Sequence, residues 1–76
     1  AATLDRMGRA QEAEDVLREA IRRRPGFADA HDNLGAILYN QGRLPEAESA
    51  YREAVRSDPN HAGALSGLGL VLRELG

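Results

Sequence analysis

Residues 28–61 read ADAHDNLGAILYNQGRLPEAESAYREAVRSDPNH, and this stretch decides the fold. Its first half sets Ala30, Leu34, Ile37 and Leu38 at helical spacing, with Tyr39 less strictly in line. Gly42 stops that helix, because glycine takes the left-handed conformation of a helix end at little steric cost. Pro45 suits the first turn of the next helix, where its missing N–H loses nothing. The second helix carries Ala47, Ala50, Tyr51, Ala54 and Val55 as an apolar stripe. It ends at Asp58-Pro59, since proline disfavours helical geometry in the residue before it. Two helices are therefore predicted, over 28–41 and from about Pro45 to Ser57.

The rest of the chain repeats this stretch. Shifted by 34 positions, Gly8-Arg9 falls on Gly42-Arg43, Glu12-Ala13-Glu14 on Glu46-Ala47-Glu48, Arg18-Glu19-Ala20 on Arg52-Glu53-Ala54, and Pro25 on Pro59. The same shift carries Ala28 and Ala30 onto Ala62 and Ala64, Leu34-Gly35 onto Leu68-Gly69, Leu38 onto Leu72, and Gly42 onto Gly76. The matches fall at small and apolar positions and at turns, as a shared packing scheme requires. A second helix is thus predicted over 11–24 with the stripe Ala13, Val16, Leu17, Ala20 and Ile21. A last helix is predicted over 62–75, and residues 2–7 read as the tail of another. One partial repeat (1–27), one complete repeat (28–61) and the first helix of a further repeat (62–76) make a single segment. No alternating run of β-branched residues supports a strand.

Composition narrows the function classes. The chain has 76 residues, no cysteine, no tryptophan, and a net charge of −2. A compact globule of this size buries only roughly 60% of its unfolded surface. No disulfide or thiolate metal site staples it. Apolar runs are only three or four residues long, such as Leu70-Val71-Leu72 and Ala36-Ile37-Leu38-Tyr39, which rules out a transmembrane helix. The slight acidity argues against nucleic acid as a partner. All ten basic residues are arginine, a bias that a GC-rich bacterial genome produces without any functional reason. The absence of cysteine suits cytoplasm, periplasm or secretion alike; a cytoplasmic location is the default expectation.

The run Asn33-Leu34-Gly35, then Tyr39, Gly42, Ala47, Tyr51, Ala54 and Asp58-Pro59-Asn60, resembles the tetratricopeptide repeat family. The likeness covers almost the whole chain. Departures are mild: His31 and Leu65 stand where the family often has tryptophan, and Leu38 and Leu72 replace a common tyrosine. The resemblance implies an all-α helix-turn-helix solenoid, a right-handed superhelix of antiparallel helix pairs. With its partial repeats, the chain reads as a fragment of a longer array.

Chemistry has little to stand on. There is no cysteine nucleophile and no serine in a nucleophile-elbow sequence, so no catalytic residue is assigned and the chain is read as a non-enzyme. His31 and His61 lack the spacing of a zinc helix. His31 falls on a helix packing position, and Asp29 and Asp32 sit in a first turn where the helix dipole favours them, so no metal is expected. Ser66-Gly67-Leu68-Gly69 lacks the lysine and preceding strand of a phosphate loop, and no cofactor is expected. Arg22-Arg23-Arg24 complements a helix C-terminus. Glu14 with Arg18 and Glu19 with Arg23 have the favoured order for ion pairs, on a face read as solvated.

The resemblance places a peptide-binding groove along the first helices of the repeats. It carries Asp29, Asp32, Asn33, Ala36, Tyr39 and Asn40, then Gly63, Ser66, Gly67, Leu70, Arg73 and Glu74, preceded by Ala2, Asp5 and Arg6. Asparagine offers both a donor and an acceptor to a peptide amide, but Gly67 breaks an asparagine ladder begun at Asn33. Few basic residues line this surface, which argues against a clamp for a peptide's terminal carboxylate. The groove suits a neutral or mildly basic peptide, with Tyr39 as anchor. The expected function is a protein-interaction scaffold for a peptide or a partner helix. One alternative is self-assembly into a homo-oligomer through Leu68, Val71, Leu72 and Leu75, which the chain cannot all cover. Another is a substrate-presenting arm of a larger enzyme such as a glycosyltransferase.

Overall fold

The computed structural model describes residues 2–76, with side chains from Arg9 onward. Four helices succeed one another: α1 (Ala2–Arg23), α2 (Ala28–Asn40), α3 (Leu44–Ser57) and α4 (Ala62–Leu75). There is no strand among the described residues. None of the helices is long and apolar enough to cross a membrane. The α2, α3 and α4 boundaries agree with the sequence reading to within a residue.

The first turn shows why. Gly42 has φ +78°. Its N–H reaches Tyr39 O at 2.9 Å while the Arg43 N–H reaches Leu38 O at 2.9 Å. This paired closure satisfies two orphan carbonyls of α2 and needs a left-handed residue at position 42. Pro45 then lies in the first turn of α3.

The equivalent break does not occur at Gly8. Helix α1 runs through it without interruption, so the expected separation of a 2–7 tail from a helix starting near Gln11 is absent. The residues after the glycine explain the difference. Leu44-Pro45 is replaced by Ala10-Gln11, two good helix formers, and no proline redirects the chain. Gly8 alone costs a helix about 1 kcal/mol relative to alanine, too little to end it.

The core joins Leu34 and Leu38 of α2, Ala47, Ala50, Tyr51 and Ala54 of α3, and Ala64 and Val71 of α4. Helix α3 packs on both α2 and α4, and α2 touches α4 directly. The Tyr51 ring lies between these two first helices. A Cβ built on Gly35 would stand 2.9 Å from three ring atoms, and one on Gly67 closer still, 2.8 Å from the hydroxyl oxygen. Gly69, the repeat counterpart of Gly35, has nothing within 4 Å. Two glycines in one helix thus play different parts.

A polar joint ties α1 to the next repeat. Glu14, on a face read as solvated, is only 4% exposed. Its carboxylate accepts from Arg18 Nε at 3.0 Å and Nη2 at 2.8 Å, and from Arg43 Nη1 at 2.9 Å across the helix boundary. The Arg18 hydrogen bond first, then Arg43, hold the Glu14 carboxyl below the usual carboxylate range. The expected pair of Glu19 with Arg23 forms at 3.7 Å.

Substitutions at the glycines and at Glu14 test this packing. Gly67→Ala should lower the thermal midpoint, because overpacking costs about 1–3 kcal/mol against at most about 1 kcal/mol gained in helix propensity. Gly69→Ala, with open space around it, should raise the midpoint; calorimetry of the two variants compares the signs. Glu14 stabilises the fold above its unfolded value of about 4.5, and that contribution is lost as pH falls through the lower folded value. Glu14→Gln should therefore be less stable than wild type near neutrality, with a gap that narrows in an acid titration monitored by circular dichroism.

Candidate functional site: the face of the first helices

Helices α2 and α4 lie side by side with α3 behind them. Of the twelve expected groove residues whose side chains are described, nine, Asp29, Asn33, Ala36, Asn40, Gly63, Ser66, Leu70, Arg73 and Glu74, are exposed, whereas Gly67 is buried against the Tyr51 ring. Asp32 and Tyr39 are half-buried. Among the described residues no hydrogen bond engages the side chains of Asn33, Asn40 or Ser66. The side chains of Ala2, Asp5 and Arg6, assigned to the same groove from sequence, lie outside the described residues.

Besides Gly67, three of the twelve have structural partners. Tyr39 packs against the core cluster, so it serves the fold as well as the surface. Asp29 Oδ1 lies 2.7 Å from His61 Nε2. Asp32 reaches toward the start of α4, its Oδ2 lying 3.0 Å from where a Cβ on Gly63 would stand. Helix α4 has no acidic residue in its own first turn. Asp29 and Asp32 of α2 supply negative charge beside that N-terminus, where the helix dipole favours it.

His61 is a residue that the sequence reading passed over. It is the N-cap of α4: its Nδ1 accepts from the Ala64 N–H at 3.1 Å. With Nδ1 accepting, the proton sits on Nε2 and is donated to Asp29. The hydrogen bond to Asp29 raises the His61 pKa above its ordinary 6.5, against desolvation, with Asp32, Asp29 and Asp58 adding charge. His61 falls at the position of Phe27, which caps α2 without a side-chain bond. That polar-for-apolar change at a helix start was the available signal.

His31 behaves as a packing residue. It is buried, and its Nε2 lies 2.9 Å from Pro25 O. Among the described residues no group of three or more His, Cys, Asp and Glu side chains is placed to hold a metal. Two shallow clefts open on either side of α2. One, of about 650 Å³, joins Asn33, Ala36 and Ile37 to Arg9, Glu12, Ala13, Val16 and Leu17 of α1. Asn33 and Ala36 therefore face α1 as well as the α2/α4 surface. The other, of about 480 Å³, lies between α1 and α3 with His31, Leu34 and Leu38 among its lining residues; helix periodicity alone does not reveal it.

Of the residues expected to promote self-association, Val71 is fully buried and belongs to the core. It packs inward because α4 turns that face toward α3. Leu72 and Leu75 are 42% and 45% exposed, and Leu68 is half-buried.

The His61–Asp29 pair predicts a pKa change of definite sign. The Asp29 carboxylate favours the protonated ring, and protonation in turn takes from the Ala64 N–H the acceptor that neutral Nδ1 provides. Asp29→Asn should therefore lower the His61 pKa, which an NMR titration of the imidazole protons measures.

The repeat is visible in the helix pairs, in the Gly42 turn and in the recurrence of side chains every 34 residues. A family model for the tetratricopeptide repeat matches residues 1–62 and 45–76. No curated protein matches the chain. Together the two family matches span the sequence from end to end, and the chain belongs to the tetratricopeptide repeat family, whose repeats generally mediate protein–protein interaction.

Proposed function

We propose that the chain is a protein-interaction scaffold whose ligand is a peptide or a partner helix lying on the face shared by α2 and α4. The observation that carries this reading is the division of labour around α3. Helix α3 buries its stripe against α2 and α4, leaving Asn33, Ala36, Asn40, Ser66, Leu70 and Arg73 exposed on those two helices. Asn33 and Asn40 would pair with the amides of an extended chain through both donor and acceptor. Leu70, 48% exposed, would bury an apolar side chain of the ligand. Arg73 is the basic member of the site, and Asp29 and Asp32 are acidic, so a neutral or mildly basic peptide is the best fit. Tyr39 can line the surface, but its core contacts make Tyr39→Ala a poor test, since lost packing would mimic lost binding.

The test is selection of a phage-displayed library of random peptides on the immobilised chain, then affinity measurement with a selected peptide. Asn33→Ala with Asn40→Ala, and separately Leu70→Asp, should each weaken binding about tenfold or more, about 1.4 kcal/mol. Helicity should stay unchanged, and Arg56→Ala on the outer side should bind as wild type. Failure to enrich any peptide, or affinities indifferent to the groove substitutions, would sink this reading.

A further inference from the structure

The cleft between α1 and α3 lies away from the α2/α4 face. Its floor is apolar, with Ile21 of α1, Leu34 and Leu38 of α2, and Ala50 of α3. His31 lies among them. The α2 residues in it stand on the side of that helix opposite Asn33, Ala36 and Asn40, as the helix period requires. Floor and walls are consecutive helices packed on one another, α1 on α2 and α2 on α3. His31 and Leu38 are also the two departures from tryptophan and tyrosine seen in the sequence. Both are smaller side chains, and the space beside them is open.

The floor holds one unused polar atom. His31 is only 8% exposed, and its Nε2 lies 2.9 Å from Pro25 O. A carbonyl only accepts, so Nε2 carries the proton of the neutral ring and Nδ1 is left as an acceptor. Among the described residues no hydrogen bond engages Nδ1, yet it is not a sealed orphan. Its outlet is the cleft that the ring lines. A nitrogen so placed asks for a donor, since buried polar groups are as a rule partnered. The walls carry opposite charges. Arg22 stands on α1 and Glu53 on α3. Each is paired only loosely on its own helix, Arg22 with Glu19 at 3.4 Å and Glu53 with Arg56 at 3.5 Å. Arg18 and Glu46, the other charges of the walls, are held by Glu14 and Arg43. Among the described residues no ion pair joins the two walls.

We propose that this cleft is a second interaction site, and that it takes an indole side chain from a short segment of a partner protein, with an acidic residue on one flank of the tryptophan and a basic residue on the other. The indole buries its apolar body on Ile21, Leu34, Leu38 and Ala50. Its N–H, a donor and never an acceptor, is given to His31 Nδ1. The acidic flank meets Arg22 and the basic flank meets Glu53, each replacing a loose pair. A peptide segment fits better than a free aromatic molecule. The cleft is too shallow to enclose a ring, and its opposed charges lie at the mouth, where only groups flanking the ring reach them. An aromatic anchor in a hollow with a charged rim is how a few residues carry a protein interface. The site stands or falls without the α2/α4 face.

The test is an NMR titration of the 76-residue chain, following its amide shifts, with the probe acetyl-Glu-Trp-Arg-amide over roughly 0.1 to 10 mM, since so small a ligand binds weakly. Saturable shifts should gather at Ile21, His31, Leu34 and Ala50 and spare Asn40 and Leu70. Methylating the indole nitrogen of the probe should weaken binding at least about threefold, because His31 Nδ1 then gains no donor. Acetyl-Ala-Trp-Ala-amide should also bind at least about threefold more weakly, with the gap closing in about 1 M salt. Ser49→Phe fills the mouth from an exposed position on α3, so it should keep wild-type helicity and lose the probe. His31→Phe should lose the preference for the unmethylated indole. No saturable shift, shifts confined to the α2/α4 face, or equal binding of the methylated probe would each overturn the proposal. Equal binding of the uncharged probe would overturn it in favour of a site for free aromatic molecules.

Discussion

The ring of Tyr51 lies against two helix backbones at once, and the rest of the structure is arranged around that contact. Gly35 and Gly67 belong to successive first helices, and neither leaves room for a methyl group beside the ring. An aromatic side chain thus takes the volume that two side chains on α2 and α4 would otherwise fill. The consequence is geometric: α2 and α4 are drawn side by side, and α3 sits behind both. A protein interior is packed densely enough that such a wedge sets helix spacing as well as filling space. Burial also pushes the Tyr51 phenol above its ordinary pKa, which keeps the group neutral in the core.

The polar joint at Glu14 complements this wedge. Tyr51 joins first helices to each other, whereas Glu14 and Arg43 join a second helix to the turn between α2 and α3. Arg43 also bonds Glu46 and Gln41, so one guanidinium holds the turn, the start of α3 and the preceding helix together. A buried carboxylate is tolerable here because three charge-assisted hydrogen bonds replace its water. The arginines remain in contact with solvent, with side chains 36% and 49% exposed, so the desolvation cost falls mainly on the carboxylate.

Period, helix order and most of the core were legible in the sequence, because helical spacing and a 34-residue recurrence each report on a single repeat. What lay between repeats was harder to read. The shift that pairs Gly35 with Gly69 marks both as close-packing positions, but the second contact of Tyr51 falls on Gly67, the counterpart of Asn33. Self-comparison cannot show that, since it aligns a repeat with its copy and not with the neighbour it touches. Asp29 and His61 have the same character: 32 positions apart, they meet only because α4 starts beside α2. Asn40 and Leu70, which the resemblance assigned to the candidate groove, are exposed. The structural ties of Asp29, Asp32 and Tyr39 are not evident from helix phase. The unbroken α1 shows that a glycine without a proline after it is too weak a signal to end a helix.

A repeat of this kind is chemically polar along its stacking direction. The face that a first helix offers, with leucines flanking a glycine, differs from the alanine-rich face with one large side chain that a second helix offers. Each face fits the other and not itself. Packing of a first helix on a second therefore has a direction along the chain. The chain exposes 5161 Å², where a compact globule of its 8.2 kDa would expose about 4500 Å². Part of the excess is apolar and sits at Val16, Leu65, Leu72 and Leu75, on first and last helices, away from the Tyr51 wedge. Leu70 is as exposed as these but belongs to the α2/α4 face. Two kinds of sticky surface thus coexist on one small scaffold. One runs across α2 and α4, mixed in charge and lined with amides; the other is apolar and lies at Val16 of α1 and at Leu65, Leu72 and Leu75 of α4. The two surfaces meet at Asn33 and Ala36, which are exposed on α2 and also line the cleft with Val16 and Leu17 of α1, so whatever covers Val16 reaches the face that Asn33 presents.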